Sequence, residues 1–120
     1  MPVTDYENVK KTMEIYIEGS RRLDYDTMIS VVHPDARLFI SEKPTSKNLY
    51  DHWSSGMDRF KDTDRDEYYK KTTIEILSIE VEGKIASVKL NYNNWYYDFH
   101  NLIKIGSDWK IVDKVSHRIE

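Results

Sequence analysis

The sequence predicts an α+β fold, with three helices packed on a strongly curved mixed, mainly antiparallel sheet. Two observations carry this. Apolar residues recur at helical spacing through the first half, and from Lys71 onward they alternate with polar residues in four segments separated by short turns. The chain is 120 residues long, with no repeat, low-complexity run or linker-like stretch, so residues 1–120 form a single domain large enough to bury a core.

Thr4 followed by Glu7 makes a capping box, in which each side chain bonds the other's free backbone N–H. Val9, Met13, Tyr16 and Ile17 then share one face, so the first helix runs to about Gly19. Asp24 caps a short second helix whose inner face is Met28, Val31 and Val32. His33-Pro34 ends it, because a residue before proline is pushed out of the helical region, and His33 caps carbonyls there. "DARLFIS" is a first strand. After a turn around Pro44, Thr45 or Ser46 caps a third helix carrying Leu49, Trp53, Met57 and Phe60. The stretch "KDTDRDE" lacks the glycine and spacing of a calcium loop and reads as a solvated connection.

Four strands follow. "KTTIEILSIEV" ends at Glu82-Gly83, a two-residue turn in which glycine supplies positive φ. Ile76 and Leu77 are adjacent and cannot share a face in a regular strand. A β-bulge near them puts Ile74 and Ile79 inside, whereas regular alternation buries Glu75; the bulge is the favoured reading. "KIASVKLNY" turns at Asn93-Asn94, and "WYYDFHNLIKI" turns at "GSD" into the closing "WKIVDKVSHRI".

Strand side chains alternate between two faces. On "WYYDFHNLIKI" the odd positions, Trp95, Tyr97, Phe99, Asn101, Ile103 and Ile105, are apolar except for Asn101, so this face is expected inward. Asp98 and His100 are then expected outward. Closing the last hairpin over Gly106, Ser107 and Asp108 pairs Ile105 with Trp109, Ile103 with Ile111, Asn101 with Asp113, Phe99 with Val115 and Tyr97 with His117. The Asn93-Asn94 turn sets Ala86 opposite Asn101, Val88 opposite Phe99 and Leu90 opposite Tyr97. The inner face would then be apolar apart from one amide, one carboxylate and one imidazole.

Composition narrows the function classes. Charged residues make up 32% and the net charge is −3, so no basic field exists for nucleic acid or anionic lipid. The absence of cysteine removes disulfides, thiolate nucleophiles and cysteine-ligated zinc. "MPVTDYENVKK" has no apolar leader segment, and no apolar run approaches membrane-spanning length, so a soluble, cytoplasmic protein is expected. His52 and His100 have no partner at metal-ligand spacing, and neither a phosphate loop nor a Ser-His-Asp arrangement is visible. No metal and no cofactor are expected. Nine tyrosines and three tryptophans combine apolar bulk with polar tips, which suits small-molecule pockets and interfaces.

The two leading helices followed by "HPDARL", the strand "YYDFHNLIKI" and the closing "WKIVDKV" after a glycine-containing turn resemble the NTF2-like (SnoaL-like) superfamily. Within it, the chain is similar to the small proteins called putative lumazine-binding, over essentially its whole length. The resemblance implies a cone-shaped sheet wrapped round helices, a pocket in the cone, a pterin-like ligand and frequent dimerisation through the sheet. Ketosteroid isomerases share the superfamily, and Pro34-Asp35-Ala36 falls on their Asp-Asp-Ala. Their oxyanion tyrosine then falls on Tyr16 and their protonated oxyanion-hole aspartate near Asn101. Their general base falls on Ile40, which cannot accept a proton.

The expected site follows from facing and resemblance together. Asp113, desolvated in an apolar cone, would be the acid/base group, with Tyr16 and Asn101 as donors to a developing oxyanion. The competing reading is a structural network that fixes strand register. Trp53, Met57, Tyr97, Phe99, His117 and Ile40 are the expected ligand-binding residues. His117 lies roughly 13 Å along the strand from Asp113, too far for a direct dyad. The favoured function is binding of a small, flat, mostly apolar aromatic or polycyclic ligand. The alternatives are a cofactor-independent isomerase, dehydratase or cyclase using Asp113, Tyr16 and Asn101, and a dimeric association module with a vestigial pocket. A homodimer through the sheet is expected in each case.

Overall fold

Thr4 begins the first helix by accepting a hydrogen bond from the Glu7 backbone N–H at 3.2 Å. The computed structural model describes residues 4–119, Pro44 by its backbone alone. Helix α1 runs Asp5–Arg21 and α2 Tyr25–Ile29, followed by β1 (Val32–Ile40), β2 (Lys43–Asn48) and α3 (Leu49–Met57). A 3-10 turn at Asp58–Phe60 leads to α4 (Arg65–Lys71), and β3 (Ile74–Glu82), β4 (Ile85–Tyr92), β5 (Tyr96–Ile105) and β6 (Asp108–Arg118) complete the described chain.

Local chemistry explains where these elements differ from expectation. Helix α2 ends at Ile29, and His33-Pro34 lies inside β1. The turn falls at residues 41–42, ahead of Pro44. Thr45 and Ser46 belong to β2, which pairs antiparallel with β1, and the cap of α3 is Asn48, whose side chain accepts from the Asp51 N–H at 3.1 Å. The stretch expected as a loop contains a fourth helix, started by Asp64 accepting from the Glu67 N–H at 3.1 Å. An acidic cap with acidic residues in the first turn and Lys70 and Lys71 in the last complements the helix dipole.

The six strands form one open sheet in the order β2-β1-β6-β5-β4-β3, antiparallel except where β1 and β6 run parallel. The bulge expected at Ile76-Leu77 is present: pairing with β4 passes from Ile76–Leu90 to Ser78–Lys89, and Leu77 is left outside. Ile74, Ile76 and Ile79 pack against the core. The β3–β4 loop is Gly83–Lys84, one residue later than expected, with Gly83 at φ +59°. Among the described residues, no helix is long and apolar enough to cross a membrane.

The last two hairpins overturn the expected facing. Between β4 and β5 the loop holds three residues, with Asn93 and Asn94 both at positive φ, so Tyr92 pairs with Tyr96. Ala86 therefore meets Leu102, Val88 meets His100 and Leu90 meets Asp98. Between β5 and β6 the loop is Gly106–Ser107, and Ile105 pairs with Asp108. A bulge at Val112 then restores the expected pairs of Asn101 with Asp113, Phe99 with Val115 and Tyr97 with His117. Each slip of one residue reverses a face. Asp98, His100 and Leu102 point into the core, whereas Tyr97, Phe99 and Ile103 are 39–48% exposed on the outer face.

Val9, Met13 and Tyr16 of α1 are fully buried over the inner sheet face. Each such apolar side chain is worth about 1.5–3 kcal/mol of burial. Gly19 lets α2 approach α1 closely: a Cβ there would stand 3.0 Å from both Met28 Cγ and Met28 N. Arg21 ties the end of α1 to α4 by donating to the Thr72 and Tyr69 carbonyls at 2.8 and 2.9 Å.

Candidate functional site

Between the helices and the inner sheet face lies a cavity of about 580 Å³. Helix α1 contributes Tyr16, α3 contributes Trp53 and Met57, and β1 contributes Leu38 and Ile40. Tyr68, Phe60 and Arg59 close one side, and Tyr92, Trp95 and Tyr96 approach from the β4–β5 loop. The walls are largely aromatic, with the Tyr16 and Trp53 rings 5.5 Å apart and Tyr92 stacked on Trp95 at 6.3 Å.

The polar groups gather where β5 and β6 meet the cavity. Asp98 pairs across the ladder with Ser116, whose hydroxyl donates to Asp98 Oδ1 at 2.6 Å. Lys114 Nζ donates to the Tyr16 hydroxyl at 3.2 Å and stands 3.6 Å from Asp98 Oδ2. Asp98 Oδ2 is buried and has no hydrogen-bond partner among the described residues. Burial alone would pull the Lys114 ammonium down, but the Asp98 carboxylate and the Tyr16 hydroxyl outweigh it and hold Lys114 above the ordinary lysine value. Lys114 is therefore a fixed cation, too firmly protonated to act as a nucleophile or base. Because its proton goes to the Tyr16 oxygen, the hydroxyl hydrogen of Tyr16 remains available to another acceptor.

Behind this cluster His100 is completely buried, its ring edge-on to Tyr16 at 4.9 Å, and neither ring nitrogen has a hydrogen-bond partner among the described residues. Burial, reinforced by the Lys114 charge, pushes it down to about 3, so it is neutral. Burial together with neighbouring Tyr68 pushes the Tyr92 hydroxyl well above its ordinary range, and the two hydroxyls are 3.1 Å apart. Burial and the cations Lys114, Lys47 and Arg59 likewise lower His52, which lines the cavity.

Of the residues expected at the site, Tyr16, Trp53, Met57 and Ile40 line the cavity. Asn101 and Asp113 do not. They face outward and bond each other at 2.9 Å, and Asn101 borders a separate shallow depression on the sheet. The expected trio of Asp113, Tyr16 and Asn101 therefore never meets. Tyr97 and Phe99 lie on the same outer face, with the Lys89 ammonium 5.2 and 6.0 Å from their ring centroids. His117 is exposed and shares a hydrogen bond with Ser41 at 2.8 Å, away from the cavity lining. The residues missed, Asp98, Lys114 and Ser116, occupy the even positions of β5 and β6. Their signal was the Asp-x-His of β5 set against a Lys-x-Ser on β6, hidden by the bulge at Val112. Among the described residues, no group of three or more histidine or acidic side chains could hold a metal ion.

Residues 4–117 match the family described as putative lumazine-binding. The chain belongs to that family. Solved structures of similar fold include an NTF2-like protein of unknown function from Shewanella baltica, at TM-score 0.75 and 19% identity with 99% of each chain covered. An NTF2-like protein of unknown function from Methylobacillus flagellatus gives TM-score 0.77 and 21% identity, over 100% of this chain and 96% of that one. A ketosteroid isomerase-like protein from Erwinia carotovora atroseptica gives 0.68 and 12%, over 97% of each. No curated protein matches the chain. At these identities the family member shares its fold with the structures, and the fold is the NTF2-like α+β arrangement, which among the described residues is four helices packed on an open six-stranded sheet.

Proposed function

We propose that this protein binds a small, flat, mostly apolar molecule in the cavity between helices and sheet. The observation that carries the reading is the cavity itself: about 580 Å³, walled by aromatic rings and floored by one compact polar cluster. Ligand sites have this composition, with apolar walls for affinity and a few fixed polar groups for orientation. Membership of a family named for ligand binding supports it.

The test is an NMR titration with a bicyclic aromatic probe. Shift changes should concentrate on Tyr16, Trp53, Trp95 and their neighbours at one-to-one stoichiometry, and Ile40→Trp, which fills the cavity from β1, should abolish them. Changes confined to the outer sheet face, or unaffected by Ile40→Trp, would remove the cavity as the binding site.

We also propose that the chain pairs with a second copy through the outer sheet face. Phe39, Tyr97, Phe99, Ile103 and Val115 are each 39–48% exposed there. Isolated surface apolar residues are ordinary, whereas a contiguous group on one sheet face marks an interface.

A further inference from the structure

The charges around the cavity do not balance. Of the charged residues that line it, Asp98 and Lys114 offset each other at 3.6 Å, which leaves Arg59. Arg59 has no ion pair among the described residues. Its guanidinium lies back over α3: a Cβ on Gly56, itself a lining residue, would stand 3.7 Å from Arg59 Nη2. His52 lines the cavity from the same helix, and burial, followed by the cations Lys114, Lys47 and Arg59, holds it neutral. The charges that act on His52 are thus all basic, in a chain whose net charge is −3. Asp51, Asp58 and Asp62, the acids nearest to Arg59 in sequence, are exposed and stay outside the lining. Arg59 and Trp95 are themselves exposed while Tyr16 and Trp53 are buried, so the unmatched cation marks the outer end of the cavity.

We infer that the molecule taken up carries a carboxylate on the end left at the mouth, where Arg59 holds it. The apolar body lies inward against Tyr16 and Trp53, and the acid stays beside the guanidinium. Two parallel N–H donors of an arginine match the two oxygens of a carboxylate, and one negative charge matches the one unbalanced positive charge. At the outer end the anion keeps part of its hydration. Pushed to the floor it would lose that hydration and meet the Asp98 carboxylate. This inference rests on the cavity being the binding site, and adds the charge and the orientation of what enters it.

Two probes of nearly identical shape separate the inference from that reading. 2-Naphthoic acid is a carboxylate at neutral pH, and 2-naphthamide replaces the charge with a neutral amide. Titrated calorimetrically into the full chain at low ionic strength, the acid should bind about fivefold more tightly, the difference expected for a partly solvated ion pair. In Arg59→Met, an exposed substitution that leaves the core untouched, the two probes should bind within about twofold of each other. Equal binding to the unaltered chain, or a preference for the amide, would overturn the carboxylate inference and leave cavity binding standing. A preference for the acid that survives Arg59→Met would also overturn it, because another cation would then hold the charge. A preference that survives Ile40→Trp would put the acid outside the cavity and overturn it as well. Binding of neither probe would overturn both readings.

Discussion

His100 occupies a place that apolar chemistry alone would give to leucine. It sits against Tyr16, Val88 and Lys114, with no hydrogen-bond partner for either ring nitrogen among the described residues, and is held neutral at a value of about 3. Its ordinary value is 6.5, so between those two limits the unfolded chain binds a proton that the folded chain refuses. Stability contributed by keeping His100 neutral is complete above about pH 6.5 and declines as pH falls towards 3, by up to about 1.4 kcal/mol per pH unit. Urea unfolding of wild type and His100→Leu at pH 6.5 and pH 4.5 isolates this component, since the other titrating groups are common to both. The wild type should lose about 2 kcal/mol more than the variant over that interval. Equal losses would show that His100 has a proton acceptor or solvent access. At this scale the identity of the inward polar residues was legible only as a motif: Asp98 and His100 stand out in the sequence, but an acid and an imidazole look equally plausible on a solvated face.

The approach of α2 to α1 depends on Gly19 having no side chain. Adding one would place a Cβ 3.0 Å from the Met28 backbone nitrogen, which cannot swing aside as a side chain can. Gly19→Ala should therefore destabilise the protein by about 1–3 kcal/mol, despite the higher helix propensity of alanine. Because Met28 lines the cavity, ligand affinity should fall as well. A variant of wild-type or greater stability in thermal unfolding would show that the helices separate freely. Helix α1 was legible because its apolar spacing and Thr4 cap agree. The sheet was legible as strands apart from β2, but of the pairs expected across the last two hairpins only Asn101–Asp113, Phe99–Val115 and Tyr97–His117 occur. The bulge at Leu77 was legible because two adjacent apolar residues announce the irregularity. The bulge at Val112 announces nothing of the kind. "WKIVDKV" alternates well enough to pass as regular, and that one extra residue carries Lys114 and Ser116 to the inner face. Neither the three-residue Asn93–Trp95 loop nor the short Gly106–Ser107 loop is distinguishable by composition from its neighbour in length.

Taken as a whole, the molecule has a polar cluster inside its sheet and aromatic rings outside it, the reverse of ordinary patterning. Both departures have a cause if the interior holds a ligand and the exterior meets another chain. Light scattering at micromolar concentration should give twice the chain mass for wild type, and Phe99→Lys, which puts a charge at the centre of the exposed group, should give a monomer that still binds probe. A wild-type monomer across that concentration range would remove the pairing. The fold class was legible at this scale because the order of helices and strands constrains it strongly, whereas the inside and outside of the sheet were not, since apolar content points inward only when the interior is a dry core. The final strand, β6, runs between β1 and β5, and Arg37 finds its partner Asp113 only there. During synthesis the early half, helices and β1–β2 hairpin alike, waits without its central neighbour, and the cavity floor supplied by Lys114 does not yet exist. Synthesis must pass β6 before the protein has either a finished sheet or a completed cavity, so a stop ahead of that strand leaves a fragment with a bare strand edge, the form most prone to aggregate.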